Sequence, residues 1–497
     1  MLGSSLDPLA ITLPVGIAVV LYAMFAAWVG HHARSATALM LVVVTLPLFV
    51  DPFDGELTLT RLVTGGTSTQ SNGAIHVSVV VIVTLAGVAF LRRLGTKPQP
   101  LAGRRIIVGL MLLYTVSIIV GLTVGAGALG AAFYLQTILP LVAWYAAAVG
   151  GLDPRTASVA VLRPAVITMC LIVGAALVYS GTIYGTYNVI SVLVSAIPQY
   201  RSYFPIIPAC GVAFAVAGWS LHPKTSIVMI ALAGVSLPLM WSRTGLVMIV
   251  VAFGLAFLLR PGRATHATRI LIGSALGAVV GFYALRAVLG GVIGARVSVG
   301  STAEASGESR IQLALGAIDR IVARPVFGDA FVPYSNVLAG GTEVDLARLF
   351  PAHNQYLDVA LRGGIVAGFL VVALLFVFGR RSLRLALRSP DLHVATFHAA
   401  LSAIIAAVAI GNMTHLFMVQ PWSGALFFAL LGVSSACPST MVDRDDAKRA
   451  WSAPHADTPR RSRGVDRGSG GIGETDRHRV RSGHDRSRYQ AVREARH

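Results

Sequence analysis

Long apolar runs separated by short polar links set the plan of this chain. A helix crosses a bilayer with about 20 apolar residues, or somewhat fewer when its ends snorkel. By that measure about thirteen runs qualify as spans, centred near residues 20, 43, 83, 115, 140, 171, 212, 233, 252, 279, 371, 403 and 428. The runs near 43 and 371 are short. The expected fold is therefore all-α, a polytopic transmembrane helix bundle of about 12–14 spans with one long outward-facing helical loop. Residues 1–437 would form the membrane domain, with 290–364 as its long loop.

Composition agrees with that plan. Only 12% of the 497 residues are charged and 55% are hydrophobic, whereas an ordinary soluble protein carries about twice that charged fraction. Lipid must be most of the solvent, and no sizeable soluble catalytic domain is expected. The formal net charge of +18 would suggest nucleic acid in a soluble protein. Here the bases sit in short links and in the last sixty or so residues, where basic loops mark membrane topology, so no nucleic-acid partner is inferred. Three cysteines, Cys170, Cys210 and Cys437, are too few for a disulfide framework and read as packing residues. The first apolar run lacks a basic leader, so no cleavable signal is expected.

Basic links occur at 92–105, 155–163, 222–224, 260–269 and 380–388. If these face the cytoplasm, the alternate links 51–74, 121–130, 182–203, 241–245, 290–364 and 411–420 face outward, without contradiction along the chain. The N-terminus then lies outside and the C-terminus inside. Residues 438–497 are rich in Arg, Asp, Ser and Gly and nearly free of aliphatic side chains. They read as a disordered, basic cytoplasmic tail, either simply solvated or touching anionic headgroups.

Polar chemistry gathers on the outward side. In Ser309-Arg-Ile-Gln and onward to Arg324, residues Ile311, Leu315, Ile318 and Val322 recur at helical spacing, which predicts an amphipathic helix at the membrane interface. Ser306 or Ser309 would cap it, placing Arg310 in its first turn. Further on, Phe350-Pro-Ala-His-Asn-Gln-Tyr-Leu-Asp begins a second helix, with Pro351 in its first turn and Gly363-Gly364 as its stop. His353 and Asn354 then lie at a helix N-terminus, whose dipole keeps His353 neutral and able to accept a proton. A loop histidine also reads as an ordinary solvated residue. The third piece is Ser242-Arg243-Thr244-Gly245, a tight link between two spans, where an arginine can also merely snorkel. Together, two guanidiniums suit a diphosphate, because each offers a bidentate fork to phosphate oxygens. A neutral histidine beside them suits a general base. Arg201 is a further outward arginine that would extend the anion site.

Ser-Arg-Thr-Gly, then Ser-Arg-Ile-Gln, Arg-Pro-Val-Phe-Gly, Pro-Ala-His-Asn-Gln-Tyr-Leu and Gly-Gly-Ile-Val-Ala-Gly, resemble the O-antigen ligase and polymerase superfamily over roughly residues 225–380. The resemblance implies a membrane glycosyltransferase that uses a polyprenyl-diphosphate-linked glycan donor and a glycan or lipid acceptor. It implies that Arg243 and Arg310 hold the diphosphate, with Arg201 as a further contact, and that His353 activates the acceptor, supported by Asn354 and Ser242. Attack would be direct and inverting, with no metal and no cofactor. Where the family often carries an Arg and an Asn-rich turn, this chain reads Gly185-Thr-Tyr-Asn188 and then Arg201. Two rivals stand beside it. Asp51, Asp54 and Glu56 in the first outer link fit a polyprenyl-monophosphate-sugar transferase, though Pro52 and Gly55 favour a solvated turn. A lipid-linked glycan flippase or anion carrier would need ionisable groups near the bilayer midplane, and the span centres carry none.

Overall fold

The computed structural model describes residues 8–46, 49–50, 75–76, 78–93, 101–182, 205–240, 243–261, 301–332, 354–418 and 421–437. The expected tail, the link 51–74 and the span near 279 lie outside them. The described residues form thirteen α-helices: α1 (Pro8–His31), α2 (Ala33–Thr45), α3 (Ser78–Arg93), α4 (Arg104–Thr123), α5 (Gly127–Gly150), α6 (Pro154–Thr182), α7 (Ile206–Ala217), α8 (Pro223–Met240), α9 (Arg243–Leu259), α10 (Ser301–Ala323), α11 (Gln355–Arg388), α12 (Leu392–Gly411) and α13 (Pro421–Ala436). Every one of them except α10 falls on an expected span. The fold is an all-α helical membrane bundle. Among the described residues, four helices are long and apolar enough to cross a membrane by length and composition: α4, α11, α12 and residues Phe133–Gly150 of α5. The run near 371 forms the longer, C-terminal part of α11, which follows a short helix from Gln355 across a non-helical break at Gly364 and ends in a basic last turn. One feature has no antecedent in the hydropathy pattern, a two-residue antiparallel pair of β1 (Phe49–Val50) and β2 (Ile75–His76).

The core centres on α7, all of whose residues are buried, as expected of a helix apolar on every side. It packs against α6, α8, α9 and α12. The most extensively packed pair among the described helices is α5 with α13. A side chain on Gly432 would meet the Trp144 carbonyl and Ala147, so the two backbones approach through small residues, the usual basis of helix association where lipid removes the hydrophobic drive. The Trp144 indole donates to Ser435 Oγ at 2.9 Å and satisfies the polar atom of that seam.

Link-to-link contacts sort the bundle into two ends. At one end Ser435 donates to the Ala102 carbonyl at 3.0 Å, and the Arg381 guanidinium donates to the carbonyls of Ser434 and Cys437. Burial, then Arg163, His393 and Arg155, hold the His222 imidazole below its ordinary range. Burial pushes the Cys437 thiol up to about 11, with Arg381, Asp153 and Asp391 close enough to act on it. At the other end, the segment after α10 meets the α4–α5 link: a side chain on Gly121 or Gly130 would strike the carbonyl of Ala330 or Phe331. The first turn of α11 meets the α12–α13 link there as well. The links that these contacts join are ones that alternation of basic links assigns to the same face; the links 51–74, 183–203 and 262–269 lie outside the described residues.

Candidate functional site

Two glycines and a tight turn build the loop end. After α10 the chain reads Arg324-Pro-Val-Phe-Gly-Asp-Ala-Phe331, and Gly328, Ala330 and Phe331 all take positive φ. For Ala330 and Phe331 that conformation is strained, at roughly 1–2 kcal/mol each. Offsetting contacts surround them. The Phe331 ring packs edge-on between Tyr114 and Tyr134 at 5.8 and 5.7 Å, and Asp329 N–H donates to the Leu361 carbonyl at 2.6 Å. Ser117 Oγ donates to the carbonyls of Phe327 and Arg362. Opposite this turn, α11 is interrupted at Gly364 (φ 79°, ψ 173°), which frees Ile365 N–H to donate to the Pro325 carbonyl at 2.9 Å. The stop expected at Gly363-Gly364 is present: the helical backbone breaks at Gly364 and resumes as the span, and a side chain at 364 would run into the Val326 carbonyl.

Five charged groups here form two paired sets among the described residues. Asp358, fully buried, lies 2.7 Å from Arg362 Nε one turn on. Arg362 also donates to Thr137 Oγ1 at 3.0 Å and sits over the Phe133 ring. Asp329 forms ion pairs with Arg320 and, at 3.7 Å, with Arg324. Burial pushes its carboxyl up from the ordinary range, and the two arginines pull it back. The amphipathic helix is present as α10, but it starts at Ser301, so Ser306 and Ser309 are interior and Arg310 lies in the third turn, not the first. The run Thr302-Ala-Glu-Ala305 carries helix formers that extend it upstream. One face, Leu313, Ala317 and Ile321, is buried, with Ala317 and Ile321 packed on Leu357, Ala360 and Leu361 of α11. The face read from the sequence, Ile311, Leu315, Ile318 and Val322, is exposed, joined by Val326.

The second helix also starts later than expected. Asn354 is its N-cap: Oδ1 accepts from Tyr356 N–H at 3.0 Å and Leu357 N–H at 3.2 Å. Asparagine is among the best caps, and α11 therefore begins at Gln355 rather than near Pro351. Gln355 N–H donates to the Asn412 carbonyl at 2.8 Å, Gln355 Oε1 accepts from Met418 N–H at 3.0 Å, and Tyr356 Oη donates to the Ala409 carbonyl at 2.8 Å. The same 411–418 segment meets α9, since Thr244 and Thr414 hydroxyls lie 2.7 Å apart.

Of the sequence-predicted residues, Arg243 is the first residue of α9, Arg310 is in α10, and Asn354 caps α11. The starts of α9 and α11 are brought to one segment, and α10 lies along the first turns of α11. His353, Arg201 and Ser242 lie outside the described residues, as do the side chains of Arg243 and Arg310. Sequence reading missed Asp358 and Arg362, although an acid and a base one turn apart at the head of an apolar helix were a signal. It also missed Asn412 and Thr414. The Asn412 amide is buried without a hydrogen-bond partner among the described residues. No group of three or more His, Cys, Asp or Glu that could hold a metal occurs among them.

These features define a helical membrane protein with a built polar site at one end of its bundle. Residues 228–372, from α8 into α11, match the family described as O-antigen ligase. That match supports the resemblance carried by the motifs and, with it, an O-antigen ligase- or polymerase-like membrane glycosyltransferase. No curated protein matches the chain.

Proposed function

We propose that the chain transfers or polymerises a polyprenyl-diphosphate-linked glycan on the outer face of the cytoplasmic membrane, by inverting attack and without a metal. The observation that carries this reading is the attachment of two motif segments to one stretch of chain. Thr244, next to Arg243, bonds to Thr414, and Gln355, two residues after His353, bonds to Asn412. Both segments lie inside the matched region.

In this reading Arg243 and Arg310 bind the donor diphosphate and stabilise the leaving group as its charge develops. Arg201 extends that contact. His353 takes the proton of the acceptor hydroxyl, which then attacks the anomeric carbon. Asn354 holds the start of α11, and Ser242 is a second supporting residue. The exposed apolar face of α10 lies in the membrane interface, beside the lipid-linked substrates. The basic end of the bundle and the tail face the cytoplasm.

The test is analysis of lipid-linked oligosaccharides in a deletion strain. Loss of product chain length identifies a polymerase, and loss of attachment to the acceptor identifies a ligase. An unaltered glycan profile overturns the reading. Restoration of activity by the His353→Ala variant excludes its role as base. Strict divalent-metal dependence abolished by Asp51→Asn would replace this reading with the monophosphate-donor one.

A further inference from the structure

The α12–α13 link carries no charge-bearing motif, yet it is the point at which the two halves of the site meet. Residues 411–418 make a 2.7 Å hydroxyl–hydroxyl contact to α9 through Thr414 and Thr244. They make two bonds to α11 through Gln355, one to the Asn412 carbonyl and one from Met418 N–H. Close packing backs the polar contacts. A side chain on Gly411 would press on Met248 of α9 and on Phe417, and Ser423 Oγ donates to the Phe417 carbonyl at 2.9 Å, tying the link to α13. Helices α9 and α11 have few contacts of their own, whereas each packs extensively on α12. Their relative placement is therefore set through α12 and the link that follows it.

We propose that the 411–418 link positions the site, with Thr414 the residue that fixes the start of α9, and hence Arg243, relative to the start of α11. This rests on the proposed function. Thr414 acts through Thr244 and touches no substrate, so it is a positioning residue. Misplacing a bidentate guanidinium by a fraction of an ångström weakens donor binding before it slows the proton transfer, which depends on another element.

The experiment uses the full chain in nanodiscs, with lipid-linked oligosaccharide extracted from the deletion strain as donor. Thr414→Val keeps the shape and removes the hydroxyl. Its donor KM should rise about fivefold, with kcat nearly unchanged, as expected for loss of the bond to Thr244; the second, 3.3 Å bond of this hydroxyl goes to the Gly411 carbonyl within the link itself. Thr244→Val should give the same shift, and the double variant should be no worse than either single one. Thr414→Ser should restore the wild-type KM. Thermal melting in the same nanodiscs reports folding, and if Thr414→Val melts early, Thr244→Val and Thr414→Ser decide the matter.

A wild-type KM in a folded Thr414→Val overturns the proposal. So does an additive double variant, at about 25-fold, or a fall in kcat alone. Arg243→Ala separates this from failure of the underlying reading. If Arg243→Ala retains wild-type activity, the site itself is wrongly placed. If it abolishes transfer while Thr414→Val is silent, only the positioning role fails.

Discussion

Both ends of this bundle are rich in arginine, but they use it differently. At the basic end Arg104, Arg105, Arg155, Arg163 and Arg384 are exposed. Arg381 reaches back to carbonyls at the end of α13, where a helix leaves acceptors unpaired. At the loop end Arg362 and Arg320 are instead paired with buried carboxylates. At the first end the exposed arginines make no contact among the described residues that depends on a guanidinium fork, whereas Arg381 and the buried Arg260, stacked over Phe257, do use their shape. At the second end geometry matters, since a buried ion pair holds only when both partners stay in place.

The widest separation between the two ends should appear in activity. Arg243→Ala and His353→Ala are expected to lower glycan transfer about 100-fold or more, the range typical of a lost general base or of a lost charge contact to the leaving group. Arg155→Ala and Arg163→Ala, at the basic end, should leave it within about twofold, because exposed substitutions away from such contacts shift stability by no more than roughly 0.5 kcal/mol. Product chain length or acceptor attachment in complemented deletion cells reads both. A comparable loss at Arg163 would erase the distinction.

Stability should show the next largest difference. Arg362→Met leaves Asp358 as an uncompensated buried carboxylate, and the expected loss is about 3–5 kcal/mol. Replacing both, Asp358→Leu with Arg362→Met, should recover most of it, since the desolvation of both charges is removed together. At the basic end Arg384→Met should be nearly silent. Thermal unfolding in detergent measures all three. Should the double variant be as unstable as Arg362→Met alone, the Thr137 and Phe133 contacts of the guanidinium would matter more than its charge.

Gly364→Ala is a smaller change with a backbone cause. The residue sits at φ 79°, where an L side chain is disfavoured, and its Cβ would strike the Val326 carbonyl. About 1–3 kcal/mol is expected, with the Pro325–Ile365 hydrogen bond the first contact to go. Gly125→Ala, with a positive φ but open space around it, separates strain from clash. If the two substitutions are equally costly, the docking of the turn onto α11 contributes little.

The plan of spans was legible because hydropathy over 20 residues is a strong, additive signal. The pairing of links at each end was legible from the positions of the bases. Local starts were less so. The helix expected to open near Ser309 opens at Ser301, because Ala303, Glu304 and Ala305 favour helix and Gly307 does not break it. The helix expected near Pro351 opens after Asn354, because a side-chain oxygen satisfying two backbone donors outweighs the preference of proline for a first turn. Asn412 and Thr414 were not legible at all. A polar residue in a link has no periodicity to betray it, and its meaning comes from a partner 170 positions away, as with Thr244.

The smallest effect concerns that cap. Asn354→Ala removes the acceptor for the N–H groups of Tyr356 and Leu357, and capping losses run to about 1 kcal/mol. Asn354→Asp keeps the acceptor and adds a negative charge at the positive end of the helix, so its stability should match or exceed that of the parent. Melting alone would show only that a helix was capped. The informative comparison is with activity: a carboxylate next to His353 would favour its protonated form and remove the free base. Asn354→Asp should therefore melt like the parent and yet transfer glycan more slowly at neutral pH, recovering as pH rises. Asp391, the cap of α12 at the basic end, already is a carboxylate accepting from His393 N–H at 2.8 Å. Its exchange for Asn should alter neither property by a measurable amount. If Asn354→Asp proves silent in activity as well, the start of α11 carries no titrating base, and the loop end differs from the basic end in packing but not in chemistry.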